Sequence, residues 1–400
     1  MMIDQVFKQA CEVIKVIEEA GGEAFIVGGS VRDYLSGREV NDIDIATSES
    51  PQRIQEIFDK VIPVGIEHGT VIVRHQGESY EVTTYRVEGG YEDYRHPDKV
   101  NFVDDIKLDL ARRDFTMNAI AMSRNGELID PYLGYESIKK KSIQAVGNPL
   151  ERFREDPLRM MRAVRFASQL SFTIDSETKS ALEEMSGLLA CISIERIAIE
   201  TEKLFSGKDY KLGLQLLEDS GLQKHLPIFK GFQFQEDYPK AILYTWHEII
   251  AFYTFSHSEI SVEAFVNHWK LSNATKRKSE HLLSGLKIYE NEKKVTPWLV
   301  YQLNEGSFAS FERVCLALYD ECDGLQNSMR RTKKDLIIHH RKELHFQAKD
   351  LISLFPARPK GPWISEWLEA IEYEVVTERI ENNYEKIKEW VKSWNPPARN

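Results

Sequence analysis

The chain has 400 residues, 42% of them hydrophobic and 29% charged, which is long enough for two to four domains with sizeable cores. A net charge of −11 and a pI near 5.6 argue against a protein that coats nucleic acid indiscriminately, and leave room for RNA binding by locally clustered cations. No apolar run approaches the roughly 20 residues of a membrane span, the polar start with Asp4 is no secretory signal, and Cys11, Cys191, Cys315 and Cys322 lack metal spacing and read as reduced thiols of a cytoplasmic protein.

Residues 3–20 place apolar side chains at Val6, Ala10, Val13, Ile14 and Ile17, an amphipathic helix stopped by Gly21-Gly22. Residues 24–27 read as a buried strand running into Gly28-Gly29, a turn whose bare backbone can approach a ligand. Ser30 is placed to cap a short helix over 31–36, whose first amides suit an anion beside the fixed charge of Arg32. The next strand carries Asp42 and Asp44. Residues two apart share a strand face, so both carboxylates aim one way while Ile43 and Ile45 turn to the core. Hard oxygens of this kind bind Mg²⁺, which usually also holds substrate phosphates.

Residues 51–58 read as a helix, and 61–64, 70–73 and 80–85 as strands. Glu81 is either a third carboxylate for the metal or a solvated strand residue. Residues 87–98 are charged, glycine-bearing and aperiodic, an exposed loop. Leu108 to Ala119 begins a helix or turn carrying the paired Arg112 and Arg113. From about residue 149 strand signals vanish and helical period runs to the end. The first such helix, from Glu155, has Asp156 near its N-cap and Pro157 in its first turn. Asp156, Arg159, Arg162 and Arg165 fall on one polar stripe, with Met160, Met161, Val164 and Phe166 toward the other side. Read alone, that stripe is a cap followed by a solvated face. Trp246, Trp269 and Trp298 are core candidates. From Met329 the balance turns basic (Arg330, Arg331, Lys333, Lys334, His339, His340, Arg341, Lys342), which suits a phosphate backbone or a solvated helix face. Residues 358–363 start a terminal helix, where amides and Lys360 suit an RNA phosphate.

Gly28-Gly29-x-Val31-Arg32-Asp33 followed by Asp42-x-Asp44 resembles the signature of tRNA nucleotidyltransferases and bacterial poly(A) polymerases. Arg112-Arg113-Asp114-Phe115-Thr116-x-Asn118-Ala119 resembles the second motif, in which the second arginine, here Arg113, contacts the nucleotide. Ile129-Asp130-Pro131 with Gly134 resembles a structural third motif, Glu155-Asp156-x-x-Arg159 the nucleotide-selecting one, and Ile194 to Leu204 the last shared one. The likeness is tight over residues 23–205, and Gly361-Pro362-Trp363 extends it to the bacterial, class II CCA-adding branch.

The resemblance implies an α+β nucleotidyltransferase head of mixed sheet and helices (residues 1–148), then an all-α neck (149–210), body (211–300) and tail (301–400). It implies Mg²⁺ on the catalytic Asp42 and Asp44, and CTP or ATP held by Gly29, Arg32, Arg113, Asp156, Arg159, Arg162 and Arg165. The acceptor is the 3′ end of tRNA, bound through its acceptor and T arms; no membrane is involved, and a homodimer is compatible. Asp156 supplies an acceptor and Arg159 a donor fork. Cytosine and adenine show an amino donor beside a ring-nitrogen acceptor, whereas uracil and guanine reverse the pattern and mismatch at a cost of several kcal/mol. The implied activity is template-independent addition of C, C and A with release of pyrophosphate. Alternatives are a poly(A) polymerase, a relative adding only C-C or only A, and a noncatalytic RNA-binding protein on this scaffold. A polymerase for arbitrary RNA would carry more positive charge, and binding alone needs no metal carboxylates. Residues 87–97 resemble the family's flexible loop, which would reshape the pocket between C and A.

Overall fold

Helix α1 (Lys8–Glu19) buries Ala10, Val13, Ile14 and Ile17 completely, as the spacing predicts, whereas Val6 precedes the helix and is 52% exposed. It leads into the first of two compact units, residues 1–238 and 239–400, of a computed structural model that describes residues 5–89, 99–320 and 322–393. Strand β1 (Ala24–Val27) runs into helix α2 (Gly29–Leu35), then β2 (Asp44–Thr47), helix α3 (Pro51–Ile57), and the meander β3 (Val61–Gly65), β4 (Thr70–His75) and β5 (Glu78–Thr84). Ser50 caps α3 by accepting from the Arg53 amide, with Pro51 in the first turn.

The ribbon β6 (Arg86–Gly89) and β7 (Lys99–Phe102) follows, then α4 (Ile106–Ala111), β8 (Ala121–Met122), β9 (Leu128–Ile129), α5 (Gly134–Lys139) and β10 (Ser142–Ile143). The head is a seven-stranded sheet in the order β3-β4-β5-β2-β1-β8-β9. Its centre is β2, antiparallel to β1 (Val27 opposite Asp44) and parallel to β5 (Asp44 opposite Glu81). The apolar run of β1 and the buried Ile45, Ala46 and Thr47 of β2 suit central strands covered on both sides.

Two expectations change here. β2 starts at Asp44, so Asp42 lies ahead of the strand and is exposed, and Ile43 is only half-buried. The segment from residue 87 is not all loop: Val87 pairs opposite Asn101 and Glu88 opposite Val100, because ladder pairing outweighs local charge and glycine content. Residues 90–98, the rest of the expected flexible loop, lie outside the described residues.

The neck opens on two helices where one was expected, α6 (Pro149–Glu155) and α7 (Leu158–Leu170). Pro157 disfavours helical geometry at Asp156, which sits between them with extended φ −139° and ψ 96°. A further strand, β11 (Thr173–Ile174), pairs parallel with β10 and ties the neck back to the head. Helices α8 (Ser176–Met185), α9 (Ile194–Phe205) and α10 (Tyr210–Asp219) complete this unit. Ser168 of α7 is fully buried and donates to the Leu204 carbonyl at 2.6 Å, locking α7 to α9.

The second unit is helical throughout its described residues: α11 (Trp246–Ser256), α12 (Val262–His268), α13 (Asn273–Glu292), α14 (Pro297–Gln302), α15 (Phe308–Leu318), α16 (Leu325–Lys334), α17 (Ala348–Leu354), α18 (Trp363–Val376) and α19 (Tyr384–Ser393). Trp246 and Trp269 are buried with ring centroids 4.7 Å apart, and Trp298 is partly buried. The helix starting at Trp363 is not terminal: among the described residues α19 follows it and adds Ile387 and Val391 to the core it shares with α18. All four cysteines are free, and no described helix is long and apolar enough to cross a membrane.

Candidate active site

The turn after β1 brings opposite charges together around a glycine. Gly28 has φ +74°, and a Cβ there would lie 3.0 Å from Arg113 Nη1 and 3.8 Å from Asp44 Oδ2. Gly28, not Ser30, occupies the N-cap of α2; the Ser30 hydroxyl instead donates to the Val27 carbonyl at 3.0 Å. Because Asp44 and Glu81 are register partners in adjacent parallel strands, their side chains share a face. Burial, then the charge of Glu81, pushes the Asp44 carboxyl up to about 6; Asp42 adds to the rise and Arg113 opposes it. Such crowded negative charge is what a divalent cation relieves.

Among the described residues no three His, Cys, Asp or Glu side chains form a metal cage. The donor set nonetheless fits Mg²⁺, which takes one or two carboxylates and completes its shell with water and substrate phosphates. Asp44 and Glu81 line both of two cavities, one of about 590 Å³ and one of about 450 Å³, whereas Asp42 lines only the smaller.

The larger cavity gathers Gly28, Gly29, Arg32 and Arg113 from the head with Asp156, Arg159, Arg162 and Arg165 from the neck. The arginines are fixed by acidic residues whose part was not legible from the sequence. Asp109, 1% exposed, accepts from Arg112 Nη2 at 2.8 Å and Arg113 Nη2 at 3.1 Å. Burial opposes its ionisation, but the two guanidinia hold its carboxyl below the usual range. Asp114 Oδ2 accepts from Arg162 Nε and Nη2 at 2.8 and 2.6 Å, and its Oδ1 accepts from Asn118 Nδ2 at 3.0 Å. Against full burial, Arg162 and then Asn118 hold Asp114 far below the usual range. Asn118 Oδ1 in turn accepts from Arg32 Nη1 at 2.8 Å, while Arg32 also grips Asp33 at 2.8 and 3.0 Å. One hydrogen-bonded chain thus runs from the turn to α7.

The polar stripe on α7 is no solvated face: Arg159 and Arg165 are each 7% exposed. Phe166, expected on the apolar side, lies in the cavity with the guanidinia of Arg165, Arg32 and Arg162 at 3.9, 5.1 and 5.4 Å from its ring centre. Its i+4 relation to Arg162 was the signal for it. Arg165 Nε stands 2.6 Å from Glu200 Oε2 of α9. Lys203, one turn further along α9, also lines the cavity.

Asp156 and Arg159 both reach the cavity, yet each is engaged by protein. Asp156 Oδ2 accepts from Arg196 Nη2 at 3.0 Å and its Oδ1 from the Leu158 amide at 3.1 Å. Arg159 donates to Glu155 Oε2 at 2.9 Å and to the Arg112 carbonyl at 2.9 Å.

Residues 24–144 match a poly A polymerase head domain, residues 171–232 a probable RNA and SrmB-binding site of polymerase A, and residues 244–391 a putative tRNA nucleotidyltransferase domain 2. A CCA-adding enzyme of Anoxybacillus flavithermus is 43% identical over 398 residues, 97% of each chain. The CCA-adding enzyme of Bacillus stearothermophilus in complex with CTP superposes with a TM-score of 0.87 at 37% identity, over 98% of both chains. A tRNA nucleotidyltransferase complexed with a primer tRNA and an incoming ATP analog matches at a TM-score of 0.56 and 27% identity, over 81% of this chain and 98% of the other.

Proposed function

The chain belongs to the family of CCA-adding enzymes, and on that premise we propose that its head and neck build the C-C-A end of tRNA from CTP and ATP. The observation that carries the reading is the meeting of Arg113 and Asp44 at Gly28, in a cavity whose neck side presents Asp156 and Arg159. The reaction is nucleotidyl transfer: the 3′-hydroxyl oxygen of the RNA bonds to the α-phosphorus, the bond to the β-phosphate bridge breaks, and pyrophosphate leaves. Divalent metal use is a property of this family; bound here as Mg²⁺ through Asp42 and Asp44, the metal would make the hydroxyl a better nucleophile and offset the charge of the triphosphate.

The chain's own residues bind and orient. Gly28 and Gly29 leave the space in which phosphate oxygens approach the backbone. Arg32 and Arg113 meet their charge from positions already set by Asp33, Asn118 and Asp109, so little side-chain entropy remains to be lost on binding. For the base, Asp156 exchanges its bond from Arg196 or the Leu158 amide for the amino group of C or A, and Arg159 turns a guanidinium N–H from Glu155 to the ring nitrogen. Arg162 and Arg165 flank that position over Phe166. The reaction's place in this reading is the cytoplasm, in keeping with four free cysteines.

Asp42→Ala and Asp44→Ala are expected to abolish addition of both C and A while leaving tRNA binding nearly intact. Retention by either variant of more than a few per cent of the C-addition rate would remove the metal assignment.

A further inference from the structure

The second unit contains a cavity of about 590 Å³ that nucleotidyl transfer leaves without a task. Arg277, Lys278 and His281 enter it from one face of α13, His247 from α11, and Ser307 and Ser310 from the start of α15 and the turn before it. Its lining holds no carboxylate and no Phe, Tyr or Trp ring. Nearby cations are answered: Lys276 by Glu263 at 3.7 Å, Arg313 by Glu248 at 2.6 Å, Lys333 by Glu305 at 3.0 Å. Arg277 and Lys278, both exposed at the mouth, make no ion pair or hydrogen bond among the described residues.

On the floor, His247 Nε2 lies 3.3 Å from Ser310 Oγ, and His281 Nε2 accepts from the Asn304 amide at 3.1 Å. Burial holds both imidazoles below their ordinary value, so the cavity's positive charge is that of Arg277 and Lys278. Glu305, between the lining residues Asn304 and Gly306, brings Lys333 and with it the basic helix α16 to the same mouth.

We propose that this cavity is a phosphate site for an RNA backbone, with Arg277 and Lys278 on one phosphate and α16 continuing along its neighbours. The lining offers a nucleotide's base no carboxylate, and its only rings, the imidazoles of His247 and His281, are already held by Ser310 and the Asn304 amide. A row of cations beside the mouth instead suits a chain of phosphates. That the RNA is tRNA rests on the function proposed above.

The test is the double variant R277Q/K278Q in the full chain, both positions being exposed. The dissociation constant for tRNA lacking its C-C-A is measured by filter binding over a series of KCl concentrations, alongside kcat and the KM for CTP at saturating tRNA. The expected result is roughly ten- to thirtyfold weaker tRNA binding and a slope of log Kd against log salt smaller by about two, with kcat and the KM for CTP unchanged. Affinity and slope within twofold of the parent would overturn the proposal. So would a variant that loses inorganic phosphate binding by calorimetry yet keeps its tRNA affinity, which would make this a site for a free anion. A parent chain that binds tRNA but adds nothing to it would defeat the proposed function, while the binding comparison would still be readable.

Discussion

At Gly28 the backbone turns with φ +74° and a side chain would press on Arg113, so two independent costs attach to any other residue. Gly28→Ala is expected to lose about 1–3 kcal/mol of stability from a backbone conformation, with ψ −133°, that side chains rarely adopt. It should also raise the KM for CTP by displacing Arg113. A melt and a KM both equal to the parent's would contradict the close approach. Asp156→Ala and Arg159→Ala should erode the choice of base more than the chemistry, read as misincorporation of UTP and GTP. Unchanged discrimination with a merely lower rate would make the pair scaffold. Asp114 gives a pH prediction. Its folded pKa lies below the ordinary 3.8, so the unfolded chain binds more protons in acid. The stabilisation is complete above that value and is lost as pH falls through the folded pKa, and Asp109 adds in the same direction. Melting temperature should therefore fall as the pH drops below about 4 and go on falling toward about pH 2, and Asp114→Asn should flatten that fall; parallel slopes for the two proteins would contradict it.

In the proposed function helix α7 is the element that turns a phosphate-binding head into a base-selecting one, and its seating is close. A Cβ on Gly213 of α10 would lie 2.8 Å from the Ser168 Cβ and 3.1 Å from Leu204 Cγ. Gly213→Ala should cost about 1–3 kcal/mol by overpacking, and the resulting shift of α7 should raise misincorporation while C addition persists. A variant as stable and as selective as the parent would show that α7 tolerates movement. Elements with a strong period, such as α1 and the pair β4–β5, were legible in the sequence because one buried face dictates their pattern. The start of β2 and the ribbon β6–β7 were not, since pairing partners rather than local propensity set them. Among the candidate site residues, the Gly-Gly turn and Asp44 stand out by chemical type and spacing, whereas Arg113, Asp156 and Arg159 were singled out by the family resemblance, since read alone they are a cap and solvated faces. Asp109, Asp114, Asn118 and Glu200 look like ordinary helix or turn residues until the fold supplies their arginines. Phe166 was misplaced because a wheel built around the apolar face hides an aromatic ring used by cations.

For the whole molecule, a net charge of −11 coexists with two cation-lined cavities, one in each compact unit, so the overall balance says little about where RNA goes. In the proposed function one site, without a template, adds C twice and then A. The most direct measurement is the product length on a gel after incubation of the full chain and Mg²⁺ with tRNA lacking its 3′ C-C-A. With CTP alone the product should stop two nucleotides longer, with CTP and ATP together three, and with ATP alone it should not lengthen. A long ladder of A from ATP alone, or a product that never passes C-C when both nucleotides are present, would contradict it.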